Sequence, residues 1–148
     1  RASGGFFSPE VFFMIRYGFA CKTIGLPRAA QSSLTLARAS RDNLLAVSRN
    51  NLCALEAMLR YCRSESLALM RISSDCIPLA SHEAIDFDWQ AALRPELEKL
   101  AALARQSGVR LSMHPGQYTV LNSPREDVVR KAVADLKARL AQASGSGD

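Results

Sequence analysis

His82 and His114 are the two histidines in this chain of 148 residues. The second closes a run in which Val109, Leu111 and Met113 alternate with Arg110, Ser112 and His114, the period of a strand. Pro115-Gly116 stops that strand, because proline lacks an amide donor and glycine permits the turn. An imidazole is thus left at a strand exit, followed on a loop by an amide, Gln117, and an aromatic ring, Tyr118. In strand-helix proteins that exit is where ligands and catalysis sit. Two neutral imidazoles can share a metal ion, although a working site normally draws on three or more protein ligands. Asp75 and Glu83 are the acids near His82 that could add to such a set. The plain alternatives stand beside each of these residues. His114 can be a satisfied turn histidine, Tyr118 can pack on the following loop, Asp75 can cap a turn, and Glu83 can be a solvated loop charge.

These residues need a frame that brings strand exits together. Ile15 to Cys21 reads as a first strand, followed by a polar loop containing Gly25-Leu26-Pro27. Ser40 is placed to cap a helix in which Leu44, Leu45, Val47, Leu52, Leu55, Met58 and Leu59 form one apolar face. Leu67 to Ile72 is a second strand, short and apolar in the manner of a parallel sheet. A helical region begins at Asp86 or Asp88 and runs through Trp89, Leu93, Leu97, Leu100 and Leu103. Pro95 either kinks it or marks its first turn, and Gly108 ends it. After the third strand, Ser123-Pro124-Arg125-Glu126 reads as a capping box with proline at the first helical position. Val129, Val133, Leu136 and Leu140 continue one face of that helix. The order is β-α-β-α-β-α, whose crossovers put all three strand exits at one end. The loop carrying His82 and the strand end carrying His114 are therefore expected to meet.

Composition narrows the functional classes. A net charge of +5 suits a polyanionic partner without requiring one. The helical arginines read as solvated faces. Lys22, Arg28 and Arg125 lie near strand exits and are better placed for phosphate, and Arg71 could face phosphate or pair with Asp75. Cys21, Cys53, Cys62 and Cys76 show no Cys-x-x-Cys spacing, so buried free thiols in a reducing cytoplasm are expected rather than disulfides or zinc. No apolar run reaches the roughly 18 residues of a membrane span. No signal-peptide cleavage pattern follows the apolar start, and no Gly-x-Gly-x-x-Gly loop occurs. A cytoplasmic protein is expected.

Three blocks, in order and correctly spaced, resemble the UV-damage endonuclease family: Met14 to Cys21, Arg71-Ile72-Ser73-Ser74-Asp75-Cys76-Ile77-Pro78-Leu79-Ala80-Ser81-His82, and Arg110 to Pro124. The resemblance implies a metal-dependent DNA repair enzyme that cuts the phosphodiester backbone on the 5′ side of ultraviolet photoproducts in double-stranded DNA. It implies divalent metals, typically manganese, held by histidines, acidic residues and a modified lysine. His82 and His114 match two of the histidine ligands. Gln117 and Tyr118 match the pair that probes the duplex at the lesion, and Phe19 matches an aromatic position there. Phe19 stands where the family often has tyrosine, and Thr23 where some members have asparagine.

The fold implied is the AP-endonuclease branch of (β/α)8 barrels, which need roughly 250 residues when complete. The expectation is therefore an α/β fold of three consecutive β-α units, an incomplete TIM barrel with parallel strands over residues 14–142. Residues 1–13 read as linker plus an apolar extension that includes Phe6, Phe7, Phe12 and Phe13, and residues 143–148 as a flexible linker. The function expected is that of a truncated, inactive portion of the endonuclease. The alternative is an engineered or selected half-barrel that self-associates through exposed sheet edges. A small metal- or phosphate-binding α/β domain is a third reading.

Overall fold

A computed structural model describes residues 15–113 and 119–144. Strands β1 (Gly18–Ala20), β2 (Leu69–Ile72) and β3 (Arg110–Met113) form one sheet in the order β1-β2-β3. Both pairings are parallel, with Phe19 opposite Met70, Met70 opposite Leu111, and Ile72 opposite Met113. Helix α1 (Arg41–Ser64) connects β1 to β2, the short α2 (Trp89–Ala92) and longer α3 (Arg94–Ser107) connect β2 to β3, and α4 (Glu126–Ser144) follows. Three successive βα units in an open parallel sheet have the arrangement of a partial α/β barrel.

Local chemistry explains most element ends. Ser40 Oγ accepts the Asn43 N–H at 3.2 Å, capping α1, with Asp42 in its first turn and Arg63 in its last. Asp88 Oδ1 caps α2 through the Ala91 N–H at 3.0 Å. Pro95 occupies the first turn of α3 and does not kink it, because no helical acceptor awaits an amide there. Gly108 ends α3 at φ 66°, a conformation that glycine adopts without cost.

The apolar face of α1 buries Leu52, Leu55, Met58, Leu59 and Cys62 against Met70 and Ile72 of β2 and against Leu97, Leu100 and Leu103 of α3. Outside this core, the seam between α1 and α3 carries ion pairs Arg49–Glu96 (2.8 Å) and Lys99–Glu56 (2.8 Å). Hydrogen bonds from Lys99 and then Arg60 hold the Glu56 carboxyl below its ordinary value. The pairs are largely solvated and add little beside the apolar contact. Alternation along the strands points Phe19, Met70 and Ile72 to the helix side, where Leu111 and Met113 also pack on the core. Arg71, Arg110 and Ser112 lie exposed on the other face.

Three expectations need correction. The first strand is shorter than Ile15 to Cys21, because Cys21 turns to φ 61° and Ile15 to Tyr17 lie exposed ahead of it. Its pairing still extends beyond the strand, through Cys21 N–H to Arg71 C=O at 2.8 Å and Ala68 N–H to Tyr17 C=O at 2.9 Å. The expected capping box does not form. Ser123 Oγ accepts the Arg125 N–H at 3.2 Å, two residues on rather than three, and α4 begins only at Glu126. All four cysteines are free as expected, but Cys53 is exposed, since it falls on the outer side of α1. Burial pushes the Cys76 thiol up to about 12. The extension through residue 13 lies outside the described residues, as do residues 145–148 of the expected C-terminal linker, whose first two residues, Ala143 and Ser144, instead continue α4.

Gly18 tests the tightness of the β1–β2 contact. A Cβ there would run into the carbonyl oxygen of Leu69, a backbone atom that cannot swing aside. Gly18→Ala is expected to lose about 1–3 kcal/mol by overpacking, measured as a lowered urea midpoint at unchanged m-value. A variant as stable as the parent would show that the strands are not in close register at this point.

Candidate functional site

Parallel pairing brings three exits to one edge of the sheet. They are Ala20 leading into residues 21–40, Ile72 leading into residues 73–88, and Met113 leading into the segment before α4. Both longer loops carry strained backbone. Cys21, Arg28 and Leu79 adopt φ of 61°, 63° and 57°, a region unfavourable to side chains with a Cβ. Something must hold residues in such conformations. In the first two exit loops, the side chain of Asn51 anchors the backbone at Ser32 and Asp75.

Asn51 lies on the buried face of α1 and is 0% exposed. Its Oδ1 accepts the Ser32 N–H at 2.8 Å, and its Nδ2 donates to Ser32 C=O at 2.9 Å and Asp75 C=O at 3.2 Å. One carboxamide therefore pairs both backbone groups of Ser32 in the β1 exit loop and reaches the β2 exit loop with its second proton. Neighbouring Asn50 adds a weaker contact to Ala30 C=O at 3.4 Å. Ser73 Oγ accepts the Asp75 N–H at 3.2 Å and Ser73 C=O accepts the Cys76 N–H at 3.2 Å, so Ser73, not Asp75, begins and caps this tight turn. In the β1 exit loop, Thr23 Oγ1 and both amide atoms of Gln31 are buried without hydrogen-bond partners among the described residues.

His82 sits exposed in the β2 exit loop. Its backbone N–H donates to Leu79 C=O at 3.0 Å, and its C=O accepts from Ile85 N–H at 2.9 Å, so the loop is a series of turns. The ring Nδ1 accepts the Ala84 N–H at 3.1 Å. That contact assigns the neutral ring its proton on Nε2, making this nitrogen a donor. An imidazole is the right type of ligand for a divalent transition metal. For Nε2 to serve, however, the proton must move to Nδ1 and the Ala84 N–H must find another acceptor. Among the described residues no three His, Cys, Asp or Glu side chains converge to hold a metal. Glu83 pairs with Lys131 at 3.1 Å.

The remaining expected residues divide. His114, Gln117 and Tyr118 lie outside the described residues. Phe19 is half-buried on the helix side of the sheet, with its ring 6.4 Å from that of Tyr61 in a tilted contact. It packs in this structure, and a base could stack on it only after that contact was given up. Lys22 and Arg28 are exposed on the β1 exit loop, whereas Arg125 Nη2 is bound to Asp127 Oδ2 at 2.8 Å. Arg71 is exposed and forms no ion pair with Asp75.

The model of the family UV-endonuclease UvdE matches residues 15–142. The chain belongs to this family. A UV DNA damage endonuclease of Clostridium perfringens is 36% identical over 123 residues, which are 83% of this chain and 30% of that protein. One from Bacillus velezensis is 30% identical over 131 residues, covering 83% and 41% respectively. The crystal structure of SacUVDE superposes with a TM-score of 0.85 at 34% identity, covering 89% of this chain and 46% of that one. The chain thus spans less than half the length of each of these three UvdE relatives.

Sequence reasoning missed Asn51 and Asp135. Asn51 had a signal, being an amide inside an otherwise apolar helical stripe between Leu44 and Leu59. Asp135, which contacts Ser81 and Thr119, had none, since its partners come from distant parts of the chain.

Removing the Asn51 carboxamide leaves three backbone groups short of a partner. Asn51→Ala is expected to cost about 1–3 kcal/mol in denaturant unfolding and to expose residues 21–40 to proteolysis. Asn51→Asp keeps the acceptor for Ser32 but replaces the amide nitrogen that donates both protons with one carboxylate oxygen facing two carbonyls, so it should be no better. A fully stable, protease-resistant Asn51→Ala would show that the loops are held by other means.

Proposed function

We propose that this chain forms the damage-recognising part of a DNA repair endonuclease that cuts double-stranded DNA on the 5′ side of ultraviolet photoproducts. The observation that carries this reading is membership of the UvdE family, over most of the described chain, in a fold whose strand exits share one edge. In this reading Gln117 and Tyr118 contact the lesion, the amide bonding exposed base edges and the ring stacking. A lesion weakens base stacking, which lowers the cost of opening the duplex and supplies selectivity. Phe19 is left out of that contact set, because Tyr61 already occupies its ring. Exposed Lys22, Arg28 and Arg71 contact phosphates.

His82 and His114 are the residues that would hold a divalent metal, typically manganese, as neutral imidazoles. Bound there, such a metal would polarise the phosphate and lower the pKa of an attacking water. Glu83, the acid adjacent to His82, is engaged by Lys131, and two imidazoles fall short of the three or more ligands of a catalytic site. The chain by itself is therefore expected to recognise the damaged duplex and leave it uncut. A second reading is a self-associating half-barrel. It is favoured by one specific feature, the apolar Ile15 and Tyr17 exposed next to the β1 edge.

The test is binding and cleavage of an end-labelled duplex carrying one photoproduct, with manganese and with chelator, on chain of measured mass. Expected are preference for damaged over undamaged duplex and no cut. Three phosphate contacts predict binding weaker by roughly 40-fold over a fourfold rise in salt. A manganese-dependent cut 5′ of the lesion would show the metal site to be complete. Equal, salt-insensitive binding to both duplexes by a folded dimer would replace this reading with the second.

A further inference from the structure

The β1 exit loop carries one sign of charge. Residues 21–40 include Lys22, Arg28 and Arg38 and no aspartate or glutamate. All three cations are exposed, and none forms an ion pair among the described residues. Arg71 adds another exposed cation at the root of the loop, where its C=O accepts the Cys21 N–H at 2.8 Å. A loop of this charge suits an anionic partner.

Within it stands Ile24, with a relative exposure of 104%, the highest of the large hydrophobic side chains among the described residues. Single exposed hydrophobes are ordinary on a protein surface. What sets Ile24 apart is how firmly it is presented. On its N-terminal side, Cys21 is bonded to β2 and the Lys22 N–H donates to Ala20 C=O at 2.7 Å. On its C-terminal side, Leu26 packs against the core and Pro27 has its φ fixed by the ring. Ala29 is buried, and its N–H donates to Leu26 C=O at 3.3 Å. Between these anchors Thr23 turns its hydroxyl inward, Ile24 projects outward, and Gly25 bends the chain at φ 79°. An apolar side chain held in water in this way is stabilised only when a partner covers it.

We propose that Ile24 is an apolar wedge that enters the base stack of a damaged duplex, while Lys22, Arg28 and Arg38 seat the flanking phosphates. The inference rests on the repair reading above and adds to it a side chain that reading does not use. A branched aliphatic group suits the task, because it replaces lost stacking area without needing a hydrogen-bond partner. Unstacking costs least where a lesion has already weakened the stack. The cations therefore give affinity for any duplex, and the wedge gives preference for a damaged one.

The test uses the full chain, a duplex carrying one photoproduct with 2-aminopurine beside it, and the undamaged duplex of the same sequence. 2-Aminopurine brightens when it leaves the stack. The parent should bind the damaged duplex more tightly and raise its emission. Ile24→Ala should lose about tenfold in affinity for the damaged duplex and most of the rise in emission, with the undamaged duplex bound as before. Ile24→Leu should restore both. Lys22→Ala and Arg28→Ala should instead weaken binding to both duplexes alike and flatten its salt dependence. Ile24 is fully exposed, so Ile24→Ala should keep the parent's urea midpoint. If the parent prefers the damaged duplex and Ile24→Ala keeps that preference and the emission, the wedge is overturned and the repair reading stands. An equal loss on both duplexes also overturns the wedge, leaving Ile24 a general contact. If the parent shows no damage preference, the repair reading fails and the wedge with it. Binding to phosphatidylserine-containing vesicles that Ile24→Ala abolishes would then assign the loop to a membrane surface.

Discussion

The structure depends on one buried carboxamide. Two of the three strand exits feed long stretches of irregular chain, and the first of them, residues 21–40, contains only a short 3-10 turn at Leu36–Arg38. Loops of that length seldom stay ordered on their own. Here Asn51 reaches out of the apolar face of α1 and satisfies three backbone groups that water cannot easily serve. A polar side chain in that stripe would be a defect if it lacked partners. With them it links helix packing directly to loop position. The core sets α1, α1 sets Asn51, and Asn51 sets both loops.

The same logic recurs at α4, in a more solvated setting. Asp135 and Lys131 bind the β2 exit loop at Ser81 and Glu83, further along the chain than Asn51's contact at Asp75, so that loop is tied at two places. Between the ties lies His82, exposed, with its ring Nδ1 engaged by the Ala84 amide. This division suits a recognition surface. The backbone is restrained by helices behind it, while the side chain that would meet a ligand keeps, among the described residues, one replaceable hydrogen bond. The strained residues Cys21, Arg28 and Leu79 fall within the restrained loops, where the surrounding contacts can bear their cost.

Much of the fold was legible from local pattern. The alternation at Val109 to Met113, the cap at Ser40 and the stop at Gly108 each depend on a few neighbouring residues, and each appears where the pattern puts it. Short-range misreadings arose where two local motifs share a signature. Ser123 satisfies an amide two residues ahead instead of three, and the helix starts later. Phe19 was legible as an aromatic near a strand exit but not as a partner of Tyr61, which arrives from the far end of α1. Asp135 was illegible for the same reason, since Ser81 and Thr119 meet it only through the tertiary fold. Family resemblance pointed to His82, but only the structure reveals that its Nδ1 is already engaged.

The central claim is that the shared edge of strand exits is the surface that meets damaged DNA. The most direct measurement is a map of backbone amide chemical-shift changes in the labelled chain as a duplex with one photoproduct is added. The expected changes cluster in residues 19–32, 73–86 and 119–123, and leave the outer seam between α1 and α3 undisturbed. Changes centred on Arg49, Arg60 and Lys99 along that seam, with the exit loops unmoved, would contradict the claim.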